Sequence, residues 1–406
     1  MNDAHSKAGA WAKAGALFAL AFALAAVTPS LRAAEQKKKE QKKETPAPAQ
    51  PAASKPDPKK LVWPAPPDVP RIQWLAQVSS QDDLTPPAQV KKKKKSSWMD
   101  KLAGVTLPEE REQRALALNK PFGVAADSKG RVYAADTGLA KVFAFDLENK
   151  KVEFLPSKFV QPIAVAIDDA DRIFVVDSRQ RLVLVFSPSW ELEASFGREN
   201  LERPIAAAVD NENRFLYVVD AKASRLAVFD ADKFTFLRYL GKPSDPLDPA
   251  EGTFATPLGV AVDSDNNVFV TDTLNDRIQM FDADGNFIQM FGKQGVSPGT
   301  FMRAKGIAVD LDGHVYVTDA EFNNVQIFDK EGQTLGVFGS YGIEPGQFSL
   351  VTGISIDSRN RVFVADQWRA RIQVFRYFTD EEAEAMRKAK APAAPRASEG
   401  KVLAPR

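Results

Sequence analysis

Six aspartates close six similar apolar runs: Asp136, Asp177, Asp220, Asp272, Asp319 and Asp366. A basic residue follows most of them. Lys141, Arg225, Arg277 and Arg371 come five positions on and Arg181 four, while after Asp319 the place falls to Asn324. Carboxylates and asparagine are oxygen ligands for a hard cation such as Ca2+, and would suit a metal-dependent hydrolase. Aspartate is equally a routine acceptor for backbone N–H groups in tight turns. A single catalytic metal needs one site unlike the rest, whereas these positions recur in every copy. The ring is therefore expected to be structural, each Asp accepting from its own turn and pairing with its basic neighbour. Ligand contact stays open as a second use of the same ring.

Other chemistry is sparse. The 406 residues include no cysteine, which removes disulfides, thiolate metal sites and cysteine nucleophiles. The two histidines are His5 and His314. A zinc lyase built on several histidines lacks its ligands, and a Ser-His-Asp triad would have to use His314. That residue takes a turn position held in sister copies by Arg131, Arg172, Asn267 and Arg361, so a surface place is expected for it. No Gly-rich phosphate loop is evident, and no cofactor is implied.

The turns after the six aspartates also carry Leu139, Leu274, Phe322 and Trp368. Large apolar residues on turns mark interaction surfaces, and Trp and Arg are frequent anchors. Leu139, Leu274, Phe322, Trp368, Arg369, Arg277 and Arg371 are thus the candidate partner-binding residues, with Trp368 beside Arg369 and Arg371 foremost. The competing expectation is that each apolar side chain tucks against a neighbouring connector.

These residues sit on a repeat. "PFGVAADSKGRVYAADTGLAKVFAFD" from Pro121 is echoed from Pro162, Pro204, Pro257, Ala304 and Val351. The first run of each copy ends at Asp127, Asp168, Asp210, Asp263, Asp310 and Asp357, at spacings of 41, 42, 53, 47 and 47. Each copy holds three short β-branched and aromatic runs, and most show a fourth, such as "GNFIQMFG". A four-stranded unit of this length cannot cover both of its faces alone, but six arranged radially cover each other. The expected fold is all-β, a six-bladed β-propeller.

The sixth copy ends at "RIQVFRYF" (371–378) without a fourth run, while "RIQWLAQV" (71–78) stands alone far upstream. Its Ile72, Trp74, Ala76 and Val78 alternate onto one face. Residues 71–78 are therefore predicted to be the outer strand of the last blade, closing the ring. The entropy of so long a closure grows only logarithmically with its length.

The repeat resembles the NHL family, on "PLGVAVD", "NVFVTDTLNDRIQMF" and the connectors "FGKQGVSPGTFMRAKGIAVD" and "FGSYGIEPGQFSLVTGISID". The match is strong in the last three copies and looser in the first three, where Ala, Gln or Ser replaces Asn. It covers about 119–378, with 71–78 as the closing strand. The resemblance implies the propeller directly. For function it implies protein-interaction platforms, RNA-binding regulators, receptor-like extracytoplasmic domains or lyases. Similar exported bacterial chains accompany surface electron-transfer assemblies, which places such assemblies among the expected partners.

Charge is segregated beneath a net of +1: residues 1–118 are basic at +8 and the remainder is acidic at −7. An acidic body argues against nucleic acid. Lys7 and Lys13 before the apolar "AGALFALAFALAAV" (14–27) read as a cleaved export signal over 1–34. An uncleaved anchor is the alternative. Residues 35–70 are expected to be a Lys/Pro-rich linker, 88–118 a connector, and 379–406 a short helix and tail. Lys91–Lys95 would meet an anionic surface if they meet anything. Together these features lead to an exported scaffold binding a protein partner in the cell envelope. A carboxylate-dependent hydrolase or lyase at the channel mouth is the alternative, and an envelope sensor a third.

Overall fold

The computed structural model describes residues 61–84, 116–245 and 247–390. The export signal, residues 35–60, Lys91–Lys95 and the tail beyond 390 lie outside the described residues.

Six antiparallel meanders follow one another. In the first, Pro121–Ala126, Arg131–Asp136, Lys141–Asp146 and Lys151–Phe154 pair in chain order. Blades two to five repeat this from Pro162–Ile167, Pro204–Asp210, Pro257–Val262 and Ala304–Val309. The first strand of each blade lies innermost against the first strand of the next, and Val351–Ile356 of blade six returns to Pro121–Ala126. The ring is a six-bladed propeller.

Burial explains the sequence pattern. Second strands such as Val268–Asp272 and Val315–Asp319 are buried at every position, because neighbouring blades cover both faces. They therefore read as continuous apolar runs. The outermost Phe287–Phe291 alternates half-buried with exposed, since only one face is covered. At the axis the innermost strands approach closely. A Cβ on Gly306 would lie 2.5 Å from the Thr352 carbonyl oxygen, and one on Gly353 2.4 Å from that of Phe122. Thr318 Oγ1 donates to the Thr352 carbonyl at 2.8 Å and stitches blade five to blade six.

The closing strand is Ile72–Val78, antiparallel to Arg371–Tyr377, with Ile72 opposite Tyr377 and Trp74 opposite Phe375. Ile72, Trp74 and Val78 are buried. A bulge between Trp74 and Ala76 moves the later residues to the other face, so Ile72 and Trp74 pack towards blade five and Ala76 and Val78 towards blade one, and the four do not share the single face that alternation predicted. The structure also extends the last blade beyond the predicted boundary at residue 71. Val62–Trp63 adds a fifth strand outside Ile72–Val78, and the Trp63 ring packs 5.9 Å from Phe375. A two-residue strand is too short for periodicity to reveal it. The helix Asp380–Lys390 follows, its start held by a reciprocal cap between Thr379 and Glu382. Arg71 pairs with Asp380 and ties the helix to the closing strand.

Candidate functional site

The turns between second and third strands open on the same face as the blade-to-blade connectors, and the six aspartates lie beneath this face, fully buried. Each accepts from its own turn or from the adjoining third strand, and each also reaches further. Asp136 Oδ2 accepts from Asn119 N at 2.6 Å and Lys120 N at 3.0 Å, while its Oδ1 accepts from Gly138 N and Leu139 N. Asp177, Asp220, Asp272, Asp319 and Asp366 grip the residues just ahead of their own innermost strands in the same way. The carboxylate thus pins the incoming connector to the turn.

Blades four to six add a second grip. Their connectors each carry a Gly-x-Phe triplet whose Phe254, Phe301 or Phe348 is buried completely. A third-strand glutamine reads the backbone of each triplet. Gln279 accepts from Gly252 N and donates to Thr253 O; Gln326 and Gln373 do the same at Gly299 and Thr300, and at Gly346 and Gln347. The aligned positions in the first three blades are Phe143, Leu184 and Ala227. Where the glutamine occurs, the connector is long and fixed.

This arrangement corrects part of the predicted partner surface. Arg277 and Arg371 are buried, not exposed. Arg277 donates to Asp272 and to the carbonyls of Pro249, Ala250 and Thr253. Arg371 donates to Asp366, Gln77 and the carbonyls of Ile343, Glu344 and Gln347. Both hold the long connectors from below. Leu139 packs against the core between blades six and one, and Phe322 is half-buried. Leu274, Trp368 and Arg369 remain at the surface, Arg369 donating to Ser349 Oγ.

The fixed connectors lift further apolar side chains that the sequence reading missed. Leu247 is 95% exposed, Val296 82%, Trp368 77%, Tyr341 75% and Leu274 69%. Val296 and Ile343 occupy aligned places in successive connectors, each just after a glycine, and this repetition was the available signal.

The central channel is lined by Phe122, Ile205, Leu258, Ile307 and Thr352 among others, with Lys305 its single ionisable group. Lys305 takes the second innermost position of its blade, where sisters place Phe122, Ile163, Ile205, Leu258 and Thr352. Burial, with a smaller push from Arg303, lowers its ammonium to about 8. A lysine so placed presents a substantial fraction of neutral amine near that pH, and could act as a base or nucleophile. The sequence marked it only as a break in the repeat at "AKGIAVD".

On the opposite face His314 is half-buried, because its Nδ1 is 2.9 Å from Asp310 Oδ2 and its ring packs on Tyr377. The expected surface place is thus replaced by a paired one. Asp310, Asp312 and His314 each bring one ligand atom within 4.8 Å of the others. Asp310 is already engaged by Tyr316 and by the backbone of Asp312 and His314.

A family described as a 6-bladed beta-propeller matches residues 259–314. The curated "Protein brain tumor" of Drosophila melanogaster is 51% identical over 45 residues, 11% of this chain and 4% of that protein. The chain is a six-bladed β-propeller. Solved propellers share the fold at low identity. A Bacteroides thetaiotaomicron protein of unknown function superposes with a TM-score of 0.52 at 17% identity, covering 65% of this propeller chain and 71% of that one. A streptogramin B lyase gives 0.50 at 12%, covering 64% and 94%. A gluconolactonase from Xanthomonas campestris gives 0.50 at 17%, covering 64% and 87%.

Proposed function

We propose that this propeller is a non-catalytic docking platform that binds a protein partner in the cell envelope through the connector face of blades four to six. One observation carries the reading. The five most exposed large apolar side chains among the described residues, Leu247, Val296, Trp368, Tyr341 and Leu274, all stand on that face. Scattered exposed apolar residues need no explanation, but a concentration on one sector does. The connectors bearing Leu247, Val296 and Tyr341 are clamped by Gln279, Gln326 and Gln373, so the surface is pre-organised and loses little entropy on binding.

The hydrolase or lyase alternative draws support from the lyase and the gluconolactonase of like fold. At such identity only the fold carries over. The residues lining the channel include no carboxylate and no histidine, so a catalytic reading would rest on Lys305.

Site-specific photo-crosslinking from cells tests the docking reading. A crosslinking residue at Tyr341 or Trp368 is expected to capture the same protein, and one at Leu311 on the opposite face to capture none. Equal capture from all three positions, or none from any, overturns it.

A further inference from the structure

Blade five leaves open a cleft that the two blades before it span. In the outermost strands the pairing register puts Arg238, Gln289 and Gly336 at equivalent places, opposite Val228, Met280 and Ile327. Arg238 reaches the following blade and donates to the Ala283 carbonyl, and Gln289 donates to the Lys330 carbonyl. Gly336 has no side chain to send across, and a Cβ built on it would meet nothing within 4 Å. A cavity of about 360 Å³ lies there, between residues 335–337 of blade five and the closing segment of blade six. Small-molecule sites typically run to roughly 300–1,000 Å³.

The lining divides by chemistry. Trp63, Ile72, Ile327, Leu335 and Val337 give it apolar walls. Tyr377 and His314 supply polar groups side by side, their rings 5.1 Å apart. Tyr377 is 5% exposed, and its hydroxyl makes no hydrogen bond among the described residues. A buried hydroxyl left unpaired is costly. Burial raises it above an ordinary 10, so at neutral pH it is a donor. His314 Nδ1 is taken by Asp310, which leaves Nε2 without a partner among the described residues. The other charged groups of the lining, Arg71 and Asp380, pair with each other. With His314 likewise held by Asp310, no charge is left over for an ionised ligand. The unmet need is for one small group that accepts from Tyr377 and can either donate to His314 Nε2 or accept from it. A hydroxyl does both.

We propose that this cleft binds an uncharged hydrophobic alcohol or phenol, its apolar body along Ile72, Ile327 and Leu335 and its hydroxyl between Tyr377 and His314. The site is separate from the connector face, so it stands whether or not the docking reading holds. Its walls come from blade five and from the segment that closes the ring, so the ligand bridges the seam of the propeller and stabilises the folded chain by mass action.

The test is equilibrium dialysis of the whole protein at pH 7 against naphthol, naphthoate and naphthylmethylamine, which share one apolar body and differ in head group. Naphthol is expected to bind at one site, and the carboxylate and the ammonium at least about tenfold more weakly. Gly336→Gln, which sets the blade-four side chain into open space, is expected to fold and to weaken naphthol binding by at least about tenfold. Tyr377→Phe keeps the ring and removes the hydroxyl, and a loss of about threefold to tenfold is expected. No binding of naphthol by wild type overturns the proposal. So does binding unchanged in Gly336→Gln, which would put the ligand elsewhere, or unchanged in Tyr377→Phe, which would leave its hydroxyl without this partner. An ionised head bound as tightly as naphthol overturns it too. Should Gly336→Gln fail to fold, Tyr377→Phe and the three head groups decide alone.

Discussion

Trp74 Nε1 donates a 2.9 Å hydrogen bond to Gln373 Oε1, joining residues 299 positions apart. The same Gln373 oxygen accepts from Gly346 N at 2.8 Å, and its amide donates to Gln347 O at 2.6 Å. One side chain therefore couples the strand that closes the ring to the connector that displays Tyr341 and Ile343. Closure and display share a part.

Trp74→Ala removes a buried indole from the seam between last and first strands. A loss of about 3–5 kcal/mol is expected, read as a lowered urea midpoint. Full stability in this variant would show that the pairing of Ile72–Val78 with Arg371–Tyr377 holds the ring without its side chains.

Trp368 and Arg371 lie close in sequence but should separate by stability. Trp368→Ala touches an exposed side chain and is expected to change stability by less than about 0.5 kcal/mol, while weakening partner capture. Arg371→Ala leaves Asp366 buried without its guanidinium, and a loss of about 3–5 kcal/mol is expected. Urea unfolding of the two variants checks the contrast; equal losses would contradict the burial of Arg371.

Lys305 carries a pH signature. Its ammonium is lowered to about 8 from an ordinary 10.5. Between those values the unfolded chain holds more protons than the folded one, so this residue makes stability rise with pH across that window. Lys305→Met is expected to flatten the rise and to stabilise the protein at pH 7 by on the order of 2 kcal/mol. Unfolding curves at pH 7 and pH 10 for both proteins provide the check.

His314 acts with the opposite sign. Its hydrogen bond to Asp310 raises it above an ordinary 6.5 against the effect of burial, with Asp312 and Asp380 adding. Its contribution is complete below 6.5 and is lost as pH rises through the folded value. Arg71, paired with Asp380, and Tyr377 are the other ionisable groups around it. Asn267 in blade four holds Asp263 by an amide in the same position, Nδ2 to Oδ2 at 2.9 Å. His314→Asn is expected to remove the fall in midpoint as pH rises above 6.5, measured by thermal melts over a pH series.

The candidate site was only half legible in the sequence. Trp368 and Leu274 stood out because a large apolar side chain on an Asp-led turn is anomalous in itself. Arg277 and Arg371 looked like anchors, but an arginine on a turn has the same appearance whether it faces solvent or a folded-back connector. What separates the cases is the carbonyl set of residues some 24–28 positions away.

The number of blades and the closing role of residues 71–78 were determined by the sequence alone. Each blade is a local meander, its ends punctuated by aspartates and its strands set by runs of β-branched and aromatic residues. The missing fourth run of the last copy has one counterpart in the chain. Tertiary structure alone decided the rest. Val62–Trp63 has too few residues to show a period, and became a strand only because Ile72–Val78 left an edge to pair with. Lys305 became a half-buried amine because the innermost strands of the other blades close the channel around it. Each depends on which neighbour covers a residue, and that neighbour is chosen by the closure of the ring.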